Sequence, residues 1–241
     1  MSLKSFLKKR NKLHAVNQIK RLDTTKKNID GLDIGTRKII NLLNYTKRSL
    51  SSYDGDAFDV GYHSFKINGK EFKGQRNPKK RFSNVAYDFI GKTVLDIGCN
   101  QGGMINEVHD AILYGVGIDF DSRMINIANR IRSYKNSNKM DFYVFDLDNE
   151  NLDYIYDFLP ENKVDICFLL SVCMWLKKWK KVVRFAHDIS DSLLFETNGK
   201  AKQQEKQIAL LNQLYPRVDL CSASSEDDPK QKKRKLFLCH K

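Results

Sequence analysis

Three carboxylates follow short apolar runs of the sequence at similar intervals. Asp96 lies in TVLDIG, Asp119 ends ILYGVGID and Asp146 follows MDFYVF, so that 23 and 27 residues separate them. Each run has the length of a strand and is bounded by Gly or Asp, which predicts buried strands that end near a carboxylate. Because the carboxyl ends of parallel strands meet at one edge of a sheet, we expect the three side chains to converge there. Carboxylates in that position favour a ligand that carries positive charge.

A glycine-bearing turn follows the first of these strands. Residues 96–103 read DIGCNQGG, similar to the G-x-G-x-x-G turn of dinucleotide-binding folds. However, Asn100 takes the place of the glycine that allows a pyrophosphate to approach the backbone. The turn also lacks the Gly-Lys-Ser/Thr ending of a P-loop. These differences predict an adenosine-like ligand without phosphates.

The elements that must position these residues alternate between strands and helices from Lys92 onward. Such alternation, with nearly continuous apolar strands, is typical of a doubly wound α/β domain. Two last apolar runs, RVDLC and KLFLC, predict an antiparallel hairpin at the sheet edge. We therefore predict a Rossmann-like, mostly parallel sheet of seven strands with a C-terminal antiparallel hairpin. The intervening helices are expected near residues 102–110, 122–134, 150–159, 176–188 and 200–214.

The sequence before this sheet divides into two predicted parts. Residues 1–50 have a helical pattern, with a second helical stretch over roughly 35–49, and they are basic. The following segment is predicted to contain a hairpin that turns at Asn68-Gly69, since both positions of that turn need a positive φ. A helix is expected from Pro78 to about Phe89. The predicted domains are a basic helical extension over 1–50, a loop and hairpin cap over 51–76, and the α/β domain over 77–241.

VLDIGCNQGG, GVGIDFD and FYVFDLD together resemble the class I S-adenosylmethionine-dependent methyltransferases, over roughly residues 77–241. The resemblance implies that the glycine turn surrounds the methionine part of the cofactor. It also implies that the carboxylate after the second strand binds the ribose and that the one after the third meets the adenine amine. The residues so assigned are Asp96, Gly98, Asn100 and Gly102 at the methionine, Asp119 and Phe120 at the ribose and adenine, Asp146 and Leu147 at the adenine edge, and Ser171 beside the sulfonium.

Several of these residues also have a structural interpretation. Asp119 could cap the following helix, since Asp is a good N-cap residue. Asp146 could form a turn with Asp148 and Asn149, which crowd the same loop. Cys99 is expected to be a small packing residue of the glycine turn.

The residues just before the strands of the predicted core offer a first place for the methyl acceptor. Tyr62, His63, Arg76 and Arg81 lie there. Arg76 suits a phosphate or a carboxylate, and His63 is a candidate general base. The alternative is a solvated hairpin with a satisfied histidine.

Two further places follow the fourth and fifth strands. Trp175 could stack on a base or a sugar, or it could pack as part of a lid. The run from Lys177 to Lys181 mixes aromatic and basic side chains, as nucleic-acid surfaces do, although a solvated helix face explains it equally well. Glu196 and Asn198 follow the fifth strand, where burial is expected to raise the pKa of Glu196 so that it could accept a proton. The alternative for Glu196 is to orient a loop through hydrogen bonds.

Charge and composition limit the classes of partner. The chain of 241 residues has 42 Lys and Arg against 29 Asp and Glu, a net charge of +13, and 13 of these cations lie in residues 1–50 against three acids. Such a segment could follow the phosphates of a nucleic acid, although Arg, the better phosphate ligand, is the scarcer cation. Five cysteines without a CxxC pair disfavour a disulfide scaffold and a zinc site. No apolar run has the length of a membrane span or a signal peptide, so we predict a soluble, cytoplasmic protein without a metal.

Looser resemblances concern the acceptor. An arginine-bearing segment with VLDIGCN and LLFET resembles the tRNA wobble-uridine methyltransferases, and GCN with IDFDSRMI resembles the methyltransferases of RNA 5′-phosphates. The fourth strand ends SVCMWL, without the Tyr-His pair of the first group. The cofactor implied is S-adenosylmethionine or its carboxylated variant, for which Arg76 is the candidate contact. We predict methyl transfer to an oxygen of an anionic acceptor, RNA first and a phosphorylated or nucleotide-linked sugar second. A non-catalytic RNA-binding module is the remaining hypothesis.

Overall fold

A sheet of seven strands organises the computed structural model, which describes residues 31–47, 61–225 and 233–241. The helices are α1 (Ile34–Thr46), α2 (Pro78–Phe82), α3 (Gly103–Val108), α4 (Ser122–Tyr134), α5 (Trp179–Ile189) and α6 (Ala201–Leu214), with 3-10 segments at Leu152–Phe158 and Cys173–Trp175. The strands are β1 (Phe65–Ile67), β2 (Lys70–Phe72), β3 (Thr93–Ile97), β4 (Tyr114–Asp119), β5 (Met140–Val144), β6 (Val164–Leu170), β7 (Ser190–Glu196), β8 (Arg217–Ser222) and β9 (Leu236–His240).

The order of the strands in the sheet is β5-β4-β3-β6-β7-β9-β8. Strands β3 to β7 are parallel, and β9 pairs antiparallel with both β7 and β8. This arrangement confirms the predicted fold class, including the C-terminal hairpin. The strand order reverses between β3 and β6, so that a ligand crevice is expected outside their carboxyl ends.

Both faces of the sheet are buried, which explains the nearly continuous apolar strands. In β6, for example, Ile166 and Phe168 pack into the cluster on one face, while Cys167 and Leu169 pack into the cluster on the other. The helices that cover these faces are short. Among the described residues, none is long and apolar enough to cross a membrane.

Helix α1 packs against the rest of the fold through one apolar side. Ile39, Ile40 and Leu43 are buried in a third cluster with residues of α4 and of the β1–β2 hairpin. The hairpin turns as predicted, with positive φ at Asn68 and Gly69. Residues 1–30 and 48–60 lie outside the described residues, so the division into 1–50, 51–76 and 77–241 stays a prediction.

Two predicted helices differ from the structure. Helix α2 ends at Phe82 instead of continuing to Phe89, because Val85, Tyr87 and Phe89 pack at alternate positions against the central core. That spacing fits an extended chain and not a helix. The helix predicted over 150–159 is a 3-10 segment, in which the buried Leu152 and Ile155 follow the three-residue period of that form.

Candidate active site

The glycine turn after β3 bends tightly against the end of β6. Gly98 has a φ of 79°, and a Cβ atom there would lie 2.5 Å from Cγ2 of Val172. Gly102 also has a positive φ, of 70°, and precedes α3. Asn100 has a φ of 51°, a conformation that Asn adopts more readily than most residues. The turn therefore brings the ends of β3 and β6 together around one crevice.

Asp96 is buried at the end of β3 with an unsatisfied acceptor. Its Oδ2 has no hydrogen-bond partner among the described residues, and the side chain is almost fully excluded from solvent. Burial raises the pKa of Asp96 to about 7, against the lowering effect of Arg81 and with a contribution from Asp119. A buried carboxylate oxygen without a donor is costly. An ammonium group at this position would satisfy it, as the amino group of the methionine part of the cofactor would.

Asp119 ends β4 and faces the glycine turn. Its Oδ2 accepts a hydrogen bond from the backbone N–H of Asn100 at 3.0 Å, and its Oδ1 accepts one from Asp121 at 2.9 Å. Burial raises the pKa of Asp119 to about 6. The N-cap of α4 is Asp121, which contradicts the capping interpretation of Asp119. Each oxygen retains a lone pair for a ribose hydroxyl.

Asp146 follows β5 and shapes its own loop. Its carboxylate accepts hydrogen bonds from the backbone of Asp148 at 3.0 Å and from the side chain of Asn149 at 2.8 Å. The Asn149 hydrogen bond is the main reason that the pKa of Asp146 lies below its ordinary value. The structure thus contains the turn that the sequence offered as an alternative. Adenine contacts of Asp146 and of the buried Leu147 stay predictions.

Glu196 lies at the end of β7 in a buried ion cluster. Nη2 of Arg76 donates to its Oε1 at 2.9 Å, and Arg81 and the hydroxyl of Ser171 donate to its Oε2. Burial alone would raise the pKa of Glu196, but the charges of Arg81 and Arg76 lower it to about 2. The expected raised pKa is therefore wrong, because two guanidinium groups face the carboxylate. Glu196 is ionised and holds these arginines in place, which does not favour a role as proton acceptor.

The segment after β6 is fastened to the same cluster. Ser171 has a φ of 62°, and its carbonyl accepts a hydrogen bond from the side chain of Asn198. Oδ1 of Asn198 accepts a hydrogen bond from the backbone N–H of Met174 at 2.9 Å. Arg234, two residues before β9, donates to the Ser171 hydroxyl at 3.3 Å. Asn198 thus positions this loop, and its predicted contact with a substrate stays a prediction.

His63 is buried under the N-terminus of α3. Its Nδ1 accepts a hydrogen bond from the backbone N–H of Gly103 at 3.3 Å, which places the ring proton on Nε2. Burial, followed by the charges of Arg81 and Arg76, holds the pKa of His63 well below its ordinary value. The imidazole is therefore neutral, with Nδ1 already engaged. This arrangement does not favour His63 as a general base.

Gln101 is a residue of the turn whose role was missed from the sequence. Its Oε1 accepts from the backbone N–H of His63 at 2.9 Å, and its Nε2 donates to the hydroxyl of Thr46 at the end of α1. The side chain is fully buried. Gln101 therefore connects the turn to both N-terminal segments. The only sequence signal was a long amide side chain in a turn that otherwise has small residues.

Exposed apolar side chains mark the carboxyl edge of the sheet. Phe120 follows β4, Val144 ends β5 and Trp175 lies beyond β6, and all three are more than half exposed. Tyr62 instead packs edge-on against His63, with ring centroids 4.8 Å apart. Arg76 is fully buried. Trp175 therefore belongs to an open rim, whereas Arg76 belongs to the buried interior and Tyr62 is half-buried against His63.

The comparisons with known proteins agree with this geometry. Residues 95–192 match a family model described as a methyltransferase domain. A protein of Invertebrate iridescent virus 6, provisionally named methyltransferase 235L, is 43% identical over 80 residues, which are 32% of this chain and 28% of that protein. The N-terminal domain of EvdMO1, solved with SAH bound, has a TM-score of 0.60 at 9% identity and covers 85% of this chain and 96% of its own. WbdD, solved with the kinase inhibitor LY294002, has a TM-score of 0.49 at 19% identity over 62% of this chain and 36% of its own.

This chain thus spans about a third or less of the length of the viral protein and of WbdD. The match over residues 95–192 agrees with the predicted methyltransferase domain, and the EvdMO1 fold agrees with the predicted sheet.

Proposed function

We propose that this chain, which carries a class I methyltransferase domain, transfers a methyl group from S-adenosylmethionine to an anionic oxygen acceptor. The observation that carries the cofactor assignment is Asp96, a buried carboxylate with an oxygen that no described residue satisfies. Asp119 lies on the neighbouring strand and retains acceptor capacity for a ribose. The sulfonium of the cofactor, when bound, supplies an electrophilic methyl group. The residues of the chain bind and orient the two reactants, and such positioning provides much of the acceleration of a displacement.

Cofactor binding is tested with S-adenosylhomocysteine, the cofactor product, by isothermal titration calorimetry. We expect Asp96→Asn and Asp119→Asn each to weaken binding at least about tenfold, which corresponds to about 1.4 kcal/mol. Asp110→Asn, a change at an exposed carboxylate before β4, is the matched control and should bind as the wild type does. A wild-type chain that binds no product would instead support the non-catalytic RNA-binding module.

The hydrogen bonds of the two candidate bases, His63 and Glu196, bear on which type of oxygen accepts the methyl group. His63 has its Nδ1 engaged, and Glu196 is ionised and paired with two arginines. A hydroxyl acceptor benefits from a general base, but a phosphate or carboxylate oxygen does not need one. The arginines at Ser171 and Glu196 further favour negative charge beside the sulfonium site. Together these features favour a phosphate or carboxylate oxygen as the acceptor.

RNA is the first candidate for the molecule that carries this oxygen, because the sequence is strongly basic. A phosphorylated or nucleotide-linked small molecule is the second candidate. It is favoured by the nearly complete burial of Arg76 and Arg81, since a small anion is easier to enclose than a polymer. The carboxylated variant is the alternative cofactor of this proposal, with Arg76 as its candidate contact.

Radiolabelled cofactor separates these acceptors. We expect label to enter RNA with a 5′-monophosphate and not the same RNA after phosphatase treatment. The rate should stay flat above neutral pH, because no titrating base takes part. Labelling of dephosphorylated RNA would overturn a terminal phosphate as the acceptor, and labelling of a sugar phosphate alone would favour the second candidate.

A further inference from the structure

A cationic groove lies between α5 and α6, on the helical layer that covers one face of the sheet. It has a volume of about 370 Å³. Lys180 and Arg184 line it from α5 and Lys206 lines it from α6, with the half-buried Trp179 at one side. Leu210 and Gln213 complete the walls. We name this feature the α5–α6 groove.

The three cations of the groove are not neutralised by the chain itself. All three side chains are exposed, and within the described ranges none of them forms an ion pair with a carboxylate. Nζ of Lys180 lies 5.8 Å from the centre of the Trp179 ring, which is a cation–π distance. The acidic side chains of the same two helices are Asp188, which contacts His187, and the exposed Glu205. The groove therefore has uncompensated positive charge beside an aromatic ring.

The groove is continuous in the chain with the edge of the candidate active site. Trp175 lies on the exposed rim beyond β6, and α5 begins four residues later at Trp179. The connecting Lys177 is fixed, because its backbone N–H donates to the carboxylate of Asp148 at 3.0 Å. A strand of nucleic acid that follows the cations of α5 would thus arrive at the carboxyl edge of the sheet.

We propose that the α5–α6 groove binds the phosphate backbone of an RNA acceptor and leads it to the methyl-transfer site. This inference rests on the proposed function and specifies its substrate surface. Clustered cations contact phosphates, while an aromatic face beside them stacks a base without regard to sequence. The concave shape fits a strand with splayed bases better than it fits a flat anionic surface.

The test uses the full chain and a fluorescein-labelled single-stranded RNA of mixed sequence, followed by fluorescence anisotropy over a range of salt concentrations. The groove variant is Lys180→Gln/Arg184→Gln/Lys206→Gln. The matched control is Lys139→Gln/Lys163→Gln/Lys241→Gln, which removes the same charge at the opposite, amino edge of the parallel strands. S-adenosylhomocysteine binding is measured in parallel for all three proteins.

We expect the groove variant to bind RNA at least about tenfold more weakly than the control. We also expect its salt slope to fall by about two, since each lost phosphate contact on a single strand contributes about 0.7. Equal losses of RNA affinity in the groove variant and the control, or no loss in either, would overturn the proposal that the groove binds RNA. If the cofactor product still binds in those cases, the proposed methyltransferase function is retained. If the wild type does not bind the cofactor product, the methyltransferase function is overturned, independently of the RNA result.

Discussion

At the scale of single residues, Asp96 shows the conflict between stability and binding most directly. A carboxylate that is buried without a hydrogen-bond donor for one oxygen destabilises the free protein. The same oxygen is well placed for a cationic ligand. Binding of a cationic group to this oxygen would offset that cost. A residue of this type is expected to trade stability for function.

Asp96→Asn should stabilise the free protein while it weakens binding of the cofactor product at least about tenfold. The pKa of Asp96 is about 7 in the folded state, well above the ordinary 3.8. Folding stabilises the protonated form of Asp96. This contribution to stability is fully present below about pH 4 and is lost as the pH rises through 7. The free energy of unfolding of the variant should therefore rise by about 2–4 kcal/mol relative to the wild type as the pH increases from 4 to above 7. Urea unfolding at pH 4.5, 6 and 8 measures this, and a difference that does not grow with pH would contradict it.

Glu196 has the opposite pH dependence. Its pKa falls from 4.5 to about 2 on folding, so its contribution is present above pH 4.5 and is lost as the pH falls through 2. Glu196→Gln should destabilise the protein by about 3–5 kcal/mol near pH 7, since it leaves Arg76 and Arg81 buried without their carboxylate. Thermal unfolding should show the gap to the wild type narrowing below pH 4. Glu205→Gln, at an exposed glutamate of α6, serves as the control and should change little.

The sequence predicted the ends of the strands more reliably than the contacts between distant residues. The glycine turn and Asp119 could be placed because their roles depend on neighbours along the chain. The state of Glu196 depends on Arg76, which lies 120 residues away in the sequence. Likewise, His63 meets Gly103 across 40 residues. Only the folded chain brings these partners together, so the pKa of Glu196 was predicted in the wrong direction.

At the scale of elements, α1 is the unexpected part of the site. Its pattern predicted a helix, and its charge suggested an extension. In the structure its apolar side packs on the β1–β2 hairpin and on α4, and its end at Thr46 contacts Gln101 of the glycine turn. Periodicity gives a helix and its buried side, but it does not indicate which surface that side meets. The strands and the hairpin at the sheet edge were accessible, because apolar runs that alternate with helices favour a parallel sheet with both faces covered.

Leu43→Ala tests whether the packing of α1 steadies the turn. Leu43 is fully buried, so its truncation should cost about 2–5 kcal/mol. Hydrogen exchange should then be faster at the backbone amides of residues 100–103. The matched variant is Ile34→Ala in the same helix, because Ile34 is 73% exposed and its truncation leaves no cavity. Unchanged exchange in Leu43→Ala, despite the loss of stability, would show that the turn is independent of α1.

At the scale of the whole molecule, two concentrations of positive charge bear on RNA binding. Residues 1–30 have nine Lys or Arg against two acids, and the α5–α6 groove has three unpaired cations among the described residues. Composition revealed the first concentration, but the second depends on the packing of two helices from different parts of the chain. Long-range attraction to a polyanion would arise from both, and the groove is continuous in the chain with the active-site edge.

Deletion of residues 1–30, which retains α1, tests whether this basic segment attracts RNA without taking part in catalysis. If RNA is the acceptor, the deletion should weaken RNA binding and lower its salt slope, because fewer phosphates are neutralised. Anisotropy titrations of the deletion, the groove variant and their combination measure both effects. The salt slopes should add when the two surfaces contact different phosphates. The thermal midpoint of the shortened chain provides the control for folding.

Unchanged RNA affinity together with full turnover of a small phosphorylated acceptor would contradict this expectation. The basic N-terminal segment would then have no part in the reaction, and the small acceptor would be favoured.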